Sequence, residues 1–438
     1  MSKFSSFEPN KCFFDPNIPQ ILPHENMYKI QIGSTLFKIS GASLSSDGPS
    51  YFTNFFTKLE GNSSDSASGS DDGPSTCQTI LFIDRSAEIF QLIYQHLQGY
   101  YIDIKDEVQY TMLIADSLYY NLPRLRKILK ESEYYYTKIG DVSFKLPKSL
   151  FERDGDKFNY FYITTDTLYV NVERVIISRK LIRPPPHSYS FVPRSPHLFK
   201  QIFQLLGGAK QTMDDNMRQS LINECRYYRL QNLEQQLIKC TLVDDPLANC
   251  HEIWIKLDDI SRKGLSLSKS VNETEEGHSG DEPQQKKQKS DGIAAWSTIQ
   301  YKRPYIDDTS RTLAVQFDGT DIRLSTDHSC IYVTGQTKVK FESTFKLFFE
   351  KNTGVSMNSS VREMNGIEAL CFPYIASGSC PTLLNGKKVN LEEVSGSNIL
   401  VHRSLWSIAL TQNSLLFVPI KLDLLSTVYE VRSVQPFL

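Results

Sequence analysis

The sequence predicts an α+β protein in three parts: a mixed strand-and-helix module, a diverged second copy of it, and a mainly β, sandwich-like C-terminal domain. Three observations predict it. Over 27–131, short runs with apolar period two alternate with runs at three- and four-residue spacing. The same motif order returns at an offset of about 108 residues. Beyond residue 241 the chain turns to many short β-type runs with turn signals between them.

The first module, 27–131, follows an N-terminal tail of 1–26. In YKIQIGSTLFKIS the alternation around Gly33-Ser34 reads as two strands joined by a tight turn. GPSYFTNFF places Pro49 near a helix start and a Tyr51, Phe52, Phe55, Phe56 face behind it. Residues 61–75, GNSSDSASGSDDGPS, have nothing apolar to bury and predict a mobile, disordered loop; its Ser64 and Ser70, each followed by Asp, invite phosphorylation. TILFIDRS reads as a strand, and AEIFQLIYQHLQG as a helix through Phe90, Ile93, Tyr94 and Leu97 that Gly99 stops. DEVQYTMLIADSLYYN and PRLRKILKES are two more helices, with Asp106 and Glu107 at one positive end and Pro123 opening the other.

This order, with Gly33, Phe52, Phe82, Ile83, Asp84, Arg85, Phe90, Ile93, Leu97, Tyr119, Tyr120, Leu122 and Leu125 in matching places, resembles the BTB/POZ fold. The version it is most similar to is the potassium-channel tetramerisation (T1, KCTD-like) type. The match spans about a quarter of the chain. An internal search then finds a second BTB-like copy at 132–240. IGDVSFKL at 139–146 matches IGSTLFKI at 32–39, FVPRSPHLFKQIFQLLGG at 191–208 matches FIDRSAEIFQLIYQHLQG at 82–99, and Tyr227-Tyr228 matches Tyr119-Tyr120. The offsets of 107 to 109 residues point to a tandem duplication. The copy departs from the pattern where Pro193 stands before Arg194, where Arg183-Pro184-Pro185-Pro186 is inserted, and in YVNVERVIISRK, which reads as an added strand.

The domain at 241–438 contains HEIWIKL, TLAVQFD, DIRLS, SCIYVTG, KVKF, EALCFPY, ILVHRSLWSIAL and LLFVPIKLDLL as strand candidates, and TFKLFFEKN as one helix. Asn385-Gly386 favours a type I′ hairpin. Many short strands favour a sandwich or barrel-like domain, with the polar stretch 261–292 expected to loop out of it, disordered.

Composition limits what the chain does. Among 438 residues, 48 Lys+Arg against 50 Asp+Glu leave a net charge of -2, without the basic excess that coating nucleic acid or an anionic membrane requires. No run of 18 apolar residues offers a membrane span. The N-terminal segment resembles neither a signal peptide nor a presequence, so a cytoplasmic or nuclear protein is expected; the run Lys286 to Lys289 reads equally as an import signal or a solvated linker. Eight scattered cysteines form no CxxC pair, and Cys240, Cys250 and His251 lack a fourth ligand, so no metal and no cofactor is expected. No nucleophile, phosphate-loop or HExxH motif occurs. Gly207-Gly208 reads as a helix stop, and Cys371 with His402 is the one thiol and base that an enzyme would need to bring together.

The resemblance implies a non-enzymatic protein-interaction and homo-oligomerisation scaffold. Its partners would be further copies of itself, or its two BTB copies would pair within the chain. An adaptor for a cullin-type ubiquitin ligase is the narrower alternative, and a cryptic enzyme or ligand-binding C-terminal domain the alternative of another class. By analogy with T1 contacts, Asp84, Arg85 and Arg194 are the candidate interaction residues; a capping role for Asp84 is the structural alternative. Charge reads equally as steering the copies together or as solvated faces: 27–131 hold 9 Lys+Arg and 12 Asp+Glu (9 − 12 = −3), whereas 132–240 hold 16 and 11 (16 − 11 = +5).

Overall fold

The computed structural model describes residues 17–63, 76–167, 189–245, 250–268, 296–364, 366–376, 380–396 and 398–426. Serines 64 and 70, the expected added strand at 169–180, the Arg183–Pro186 insertion and the Lys286–Lys289 run lie outside them. The chain forms two compact units, Met1–Leu233 and Glu234–Leu438.

In the first unit, β1 (Met27–Ile32) and β2 (Thr35–Ser40) form an antiparallel hairpin, and β3 (Thr76–Ile83) joins β1 in parallel, giving the order β2-β1-β3. Gly33 sits in the left-handed region at φ 53, and its N–H donates to the Ile83 carbonyl at 3.0 Å. Turn chemistry and sheet closure therefore meet at one glycine. The helices are α1 (Gly41–Ser45), α2 (Tyr51–Ser63), α3 (Ala87–Leu97), α4 (Glu107–Tyr119) and α5 (Pro123–Lys130). Helix α2 includes residues 61–63, the first three of the segment expected to be a loop. Ser86 caps α3 through the Ile89 N–H, and Asp106 caps α4 through the Gln109 N–H at 2.8 Å. Buried Phe37, Phe52, Phe90 and Tyr120 form the centre of the core.

A second three-stranded sheet follows. Strands β4 (Tyr134–Ile139) and β5 (Val142–Pro147) pair antiparallel, and β6 (Phe191–Val192) joins β4 in parallel, in the order β5-β4-β6. Gly140 repeats the glycine geometry at φ 57, with its N–H on the Val192 carbonyl at 2.9 Å. Helix α6 is seen over 160–167, and α7 (Pro196–Leu206), α8 (Asp215–Tyr228) and α9 (Gln231–Leu237) complete the set. Gly207, with Gly208 at φ 89, ends α7 as a helix stop would. Phe144, Phe161, Phe199 and Tyr228 pack as their counterparts do: Phe161–Phe199 centroids lie 5.5 Å apart where Phe52–Phe90 lie 5.7 Å apart.

One buried aspartate in each half joins the sheet side to the last helix. Asp47 accepts from the Arg124 N–H at 2.6 Å, the Leu125 N–H at 2.9 Å, and stands 2.6 Å from His96 Nε2. Asp156 accepts from the Asn232 N–H at 2.9 Å, but its other oxygen has no partner. The His96 position is taken there by Gln204 or Leu205, depending on the offset used.

The second unit contains β7 (Cys240–Asp245), β8 (Cys250–Lys256), β9 (Leu265–Leu267), β10 (Ser297–Tyr301), β11 (Arg311–Ser325), β12 (Cys330–Val333), β13 (Val361–Met364), β14 (Ile367–Pro373), β15 (Thr382–Leu384), β16 (Lys387–Val389), β17 (Ile399–Leu410) and β18 (Leu415–Leu425). All twelve belong to one hydrogen-bonded sheet, in which the end of β14 also bridges to β18 through Tyr374 and Phe417; of the expected sandwich or barrel-like forms, this continuous sheet is nearer the second. The reason is β11: the runs TLAVQFD and DIRLS form one strand of 15 residues that bulges between Asp318 and Ile322 and pairs with β8, β10, β12 and β17. KVKF, expected as a strand, lies in α10 (Gly335–Thr353), where Phe341, Phe345 and Phe349 supply a helical apolar stripe toward Phe372 and Phe417. Residues 261–268, expected within the loop, form a 3-10 turn and strand β9, paired with β10. The Asn385-Gly386 turn has φ 51 and 78, as a type I′ hairpin demands.

Burial lifts the Asp156 carboxyl from 3.8 to about 6, with backbone donation from Asn232 opposing the rise. The folded value lies above the unfolded one, so this stabilisation is complete below about pH 4 and is lost as pH rises through about 6. Denaturant midpoints measured from pH 7 to pH 4 are expected to rise more in the parent chain than in Asp156→Asn, whose side chain does not titrate.

Candidate protein-interaction site

Where β3 leaves the sheet, Asp84 is exposed and Arg85 turns inward. Ser86, not Asp84, supplies the cap of the following helix. The Arg85 guanidinium donates to Asp116 and lies 3.7 Å from the Tyr119 ring centre, with Tyr120 beyond it at 6.0 Å. In the second half Arg194 pairs with Glu224 at 3.6 Å and stacks 4.3 Å from Tyr227. Burial raises the Asp116 carboxyl despite Arg85, and raises Glu224 despite Arg194. Two of the three candidate residues therefore tie a strand end to a helix of their own half. The carboxylate partners escaped sequence reading because Asp116 and Glu224 sit on helices that look merely amphipathic; Asp47 and Asp156, 109 residues apart, were discoverable from the repeat offset.

The exposed outer sheet faces carry the surface chemistry. Gln31 pairs with Leu36 and with Phe82, so these three form one row across the first sheet. Phe82 is 67% exposed and Leu36 45%. Lys138 pairs with Ser143 and with Phe191 in the corresponding row of the second sheet. Farther along that second face, coverage begins: Tyr136 stacks on Tyr110 of α4 with centroids 4.7 Å apart, and Lys145 reaches Asp103 at 2.8 Å. This ion pair joins the basic half to the acidic one, and each partner moves the other toward its charged form: Asp103 goes down and Lys145 up, chiefly through their hydrogen bond.

The remaining chemical candidates stay apart. Cys371 on β14 and His402 on β17 are on strands that do not pair, with β12 and β11 between them in the sheet order. Burial pushes the Cys371 thiol up to about 11, away from a thiolate. Cys240 lies at the opposite end of the β7–β8 hairpin from His251, which faces Asp244 at 2.9 Å. Among the described residues no group of three His, Cys, Asp or Glu could hold a metal ion, and no helix is long and apolar enough to cross a membrane.

A strand–helix module whose sheet keeps apolar residues open is followed in the chain by a sheet-rich unit. The chain belongs to the BTB/POZ domain-containing family: it is 34% identical over 484 aligned residues to the BTB/POZ domain-containing protein YLR108C of Saccharomyces cerevisiae, covering 96% of each. It is also 51% identical over 357 residues to the uncharacterized protein YDR132C of the same yeast, covering 76% of this chain and 72% of that one. Residues 250–392 match the YLR108C C-terminal domain family, a family the sequence reading did not assign. No solved structure matches the chain.

Arg85→Ala leaves Asp116 buried without its cation and is expected to cost about 3 kcal/mol in chemical denaturation. Arg194→Ala, at a pair that is longer and more exposed, is expected to cost less.

Proposed function

We propose that the chain is a non-enzymatic interaction and oligomerisation scaffold with two tandem BTB units of the potassium-channel tetramerisation type, acting in the cytoplasm or nucleus. The duplicated sheet order and the duplicated arginine–carboxylate–tyrosine stack support the tandem reading. One observation carries the functional reading. The second sheet's outer face is partly covered by α4, whereas Phe82, Leu36 and Met27 on the first sheet's face are open. A face that the fold covers in one place and leaves apolar and open in the other suits a contact with a further chain. Asp84, exposed at the end of β3, stands beside that face, while Arg85 and Arg194 act by shaping the strand ends.

Light scattering of the purified chain tests this reading. The expected result is a mass above that of one chain, reduced to one chain by Phe82→Asp with Leu36→Asp while circular dichroism stays unchanged. A single-chain mass for the parent protein would leave only intramolecular pairing of the two units. The narrower reading, a cullin adaptor, is checked by capture: recovery of a cullin with the parent chain, lost in the same double variant, supports it.

A further inference from the structure

A cavity of about 400 Å³ opens in the first unit between the end of α3, residues 100–104, α5 and the start of β4. Tyr100, Tyr101, Tyr134 and Tyr136 line it, together with Glu131 and Glu133. Tyr100 is 67% exposed and Tyr101 81%, so these two rings stand at the rim. The two glutamates have no ion-pair partner among the described residues, and the cation nearest the lining tyrosines, Lys145, is paired with Asp103. His96, also in the wall, is directed to Asp47 at 2.6 Å.

We propose that this cavity receives a cationic side chain, a lysine ammonium or an arginine guanidinium, presented by a partner polypeptide. Tyrosine faces carry negative quadrupole density, and a cation against them gains most where water is partly excluded. The carboxylates of Glu131 and Glu133 add Coulombic attraction of the same sign. A neutral or anionic group of equal shape gains neither. The molecule already makes such a contact at this wall: the Lys145 ammonium lies 4.8 Å from the Tyr134 ring centre and 5.9 Å from that of Tyr136. Since Lys145 is bonded to Asp103 at 2.8 Å, that pair brings no net positive charge to oppose an incoming cation. The volume lies within the usual range of about 300–1,000 Å³ for binding pockets and accommodates a long side chain with part of its neighbours.

The inference rests on the interaction reading by naming the chemistry of a partner, but its test does not depend on self-association. The full chain is titrated with n-butylguanidinium and with neutral n-butylurea, following the tyrosine resonances by NMR. The guanidinium is expected to bind saturably, with the urea about tenfold weaker, and Tyr101→Ala and Glu133→Gln are each expected to lower guanidinium affinity about fivefold. Both substitutions lie at exposed positions, so the thermal midpoint should be unchanged. Equal binding of the urea, no saturable shift, or unchanged affinity in both variants overturns the proposal, whatever mass light scattering gives.

Discussion

The first unit depends on a charge placed where a strand ends. Arg85 leaves β3, reaches Asp116 on α4 and lies 3.7 Å from the Tyr119 ring centre, so one side chain ties the sheet to the helix. Around it, Phe52, Phe90 and Tyr120 close the core, and their packing requires α4 to hold its position. A planar guanidinium satisfies both demands, donating in its plane while stacking through its face. Lysine has no face with which to do the second. The arrangement returns with Arg194, Glu224 and Tyr227, with a longer ion pair at a more exposed site.

The second fixed point is the aspartate under the last helix of each half. Its carboxylate takes up backbone donors that a helix start leaves unpaired. In the first half His96 shares the load; in the second no equivalent neighbour is present, one oxygen is unpartnered, and burial carries the carboxyl up to about 6. A duplicated geometry thus has unequal chemistry.

Contact between the halves joins these local devices to function. The outer face of β4 and β5 is occupied through Tyr136 and Lys145, while the matching face of β1, β2 and β3 keeps Phe82 in solvent. The tyrosine-lined cavity lies at the same junction, since Tyr134 and Tyr136 belong to the strand that follows α5. Packing one half on the other therefore builds a concave surface that neither half forms alone.

The three-stranded order, the glycine turns at Gly33 and Gly140, the helix stops and the Asn385-Gly386 hairpin were legible in the sequence, because each is a local choice of period, cap or allowed φ. The inward turn of Arg85, which leaves Asp84 at the surface, was not: both residues are polar, and only the position of α4 brings Asp116 and Tyr119 within reach of Arg85. KVKF was misplaced because Val339 and Phe341 satisfy strand alternation over four residues, whereas Phe341, Phe345 and Phe349 show their helical spacing only against the sheet they cover. By itself the sequence determined the BTB resemblance and the opposite charge of segments 27–131 and 132–240. Tertiary structure alone decided that the C-terminal strands make one sheet and that tyrosines and glutamates from either side of the junction enclose one cavity, because both depend on contacts between segments that no local pattern encodes.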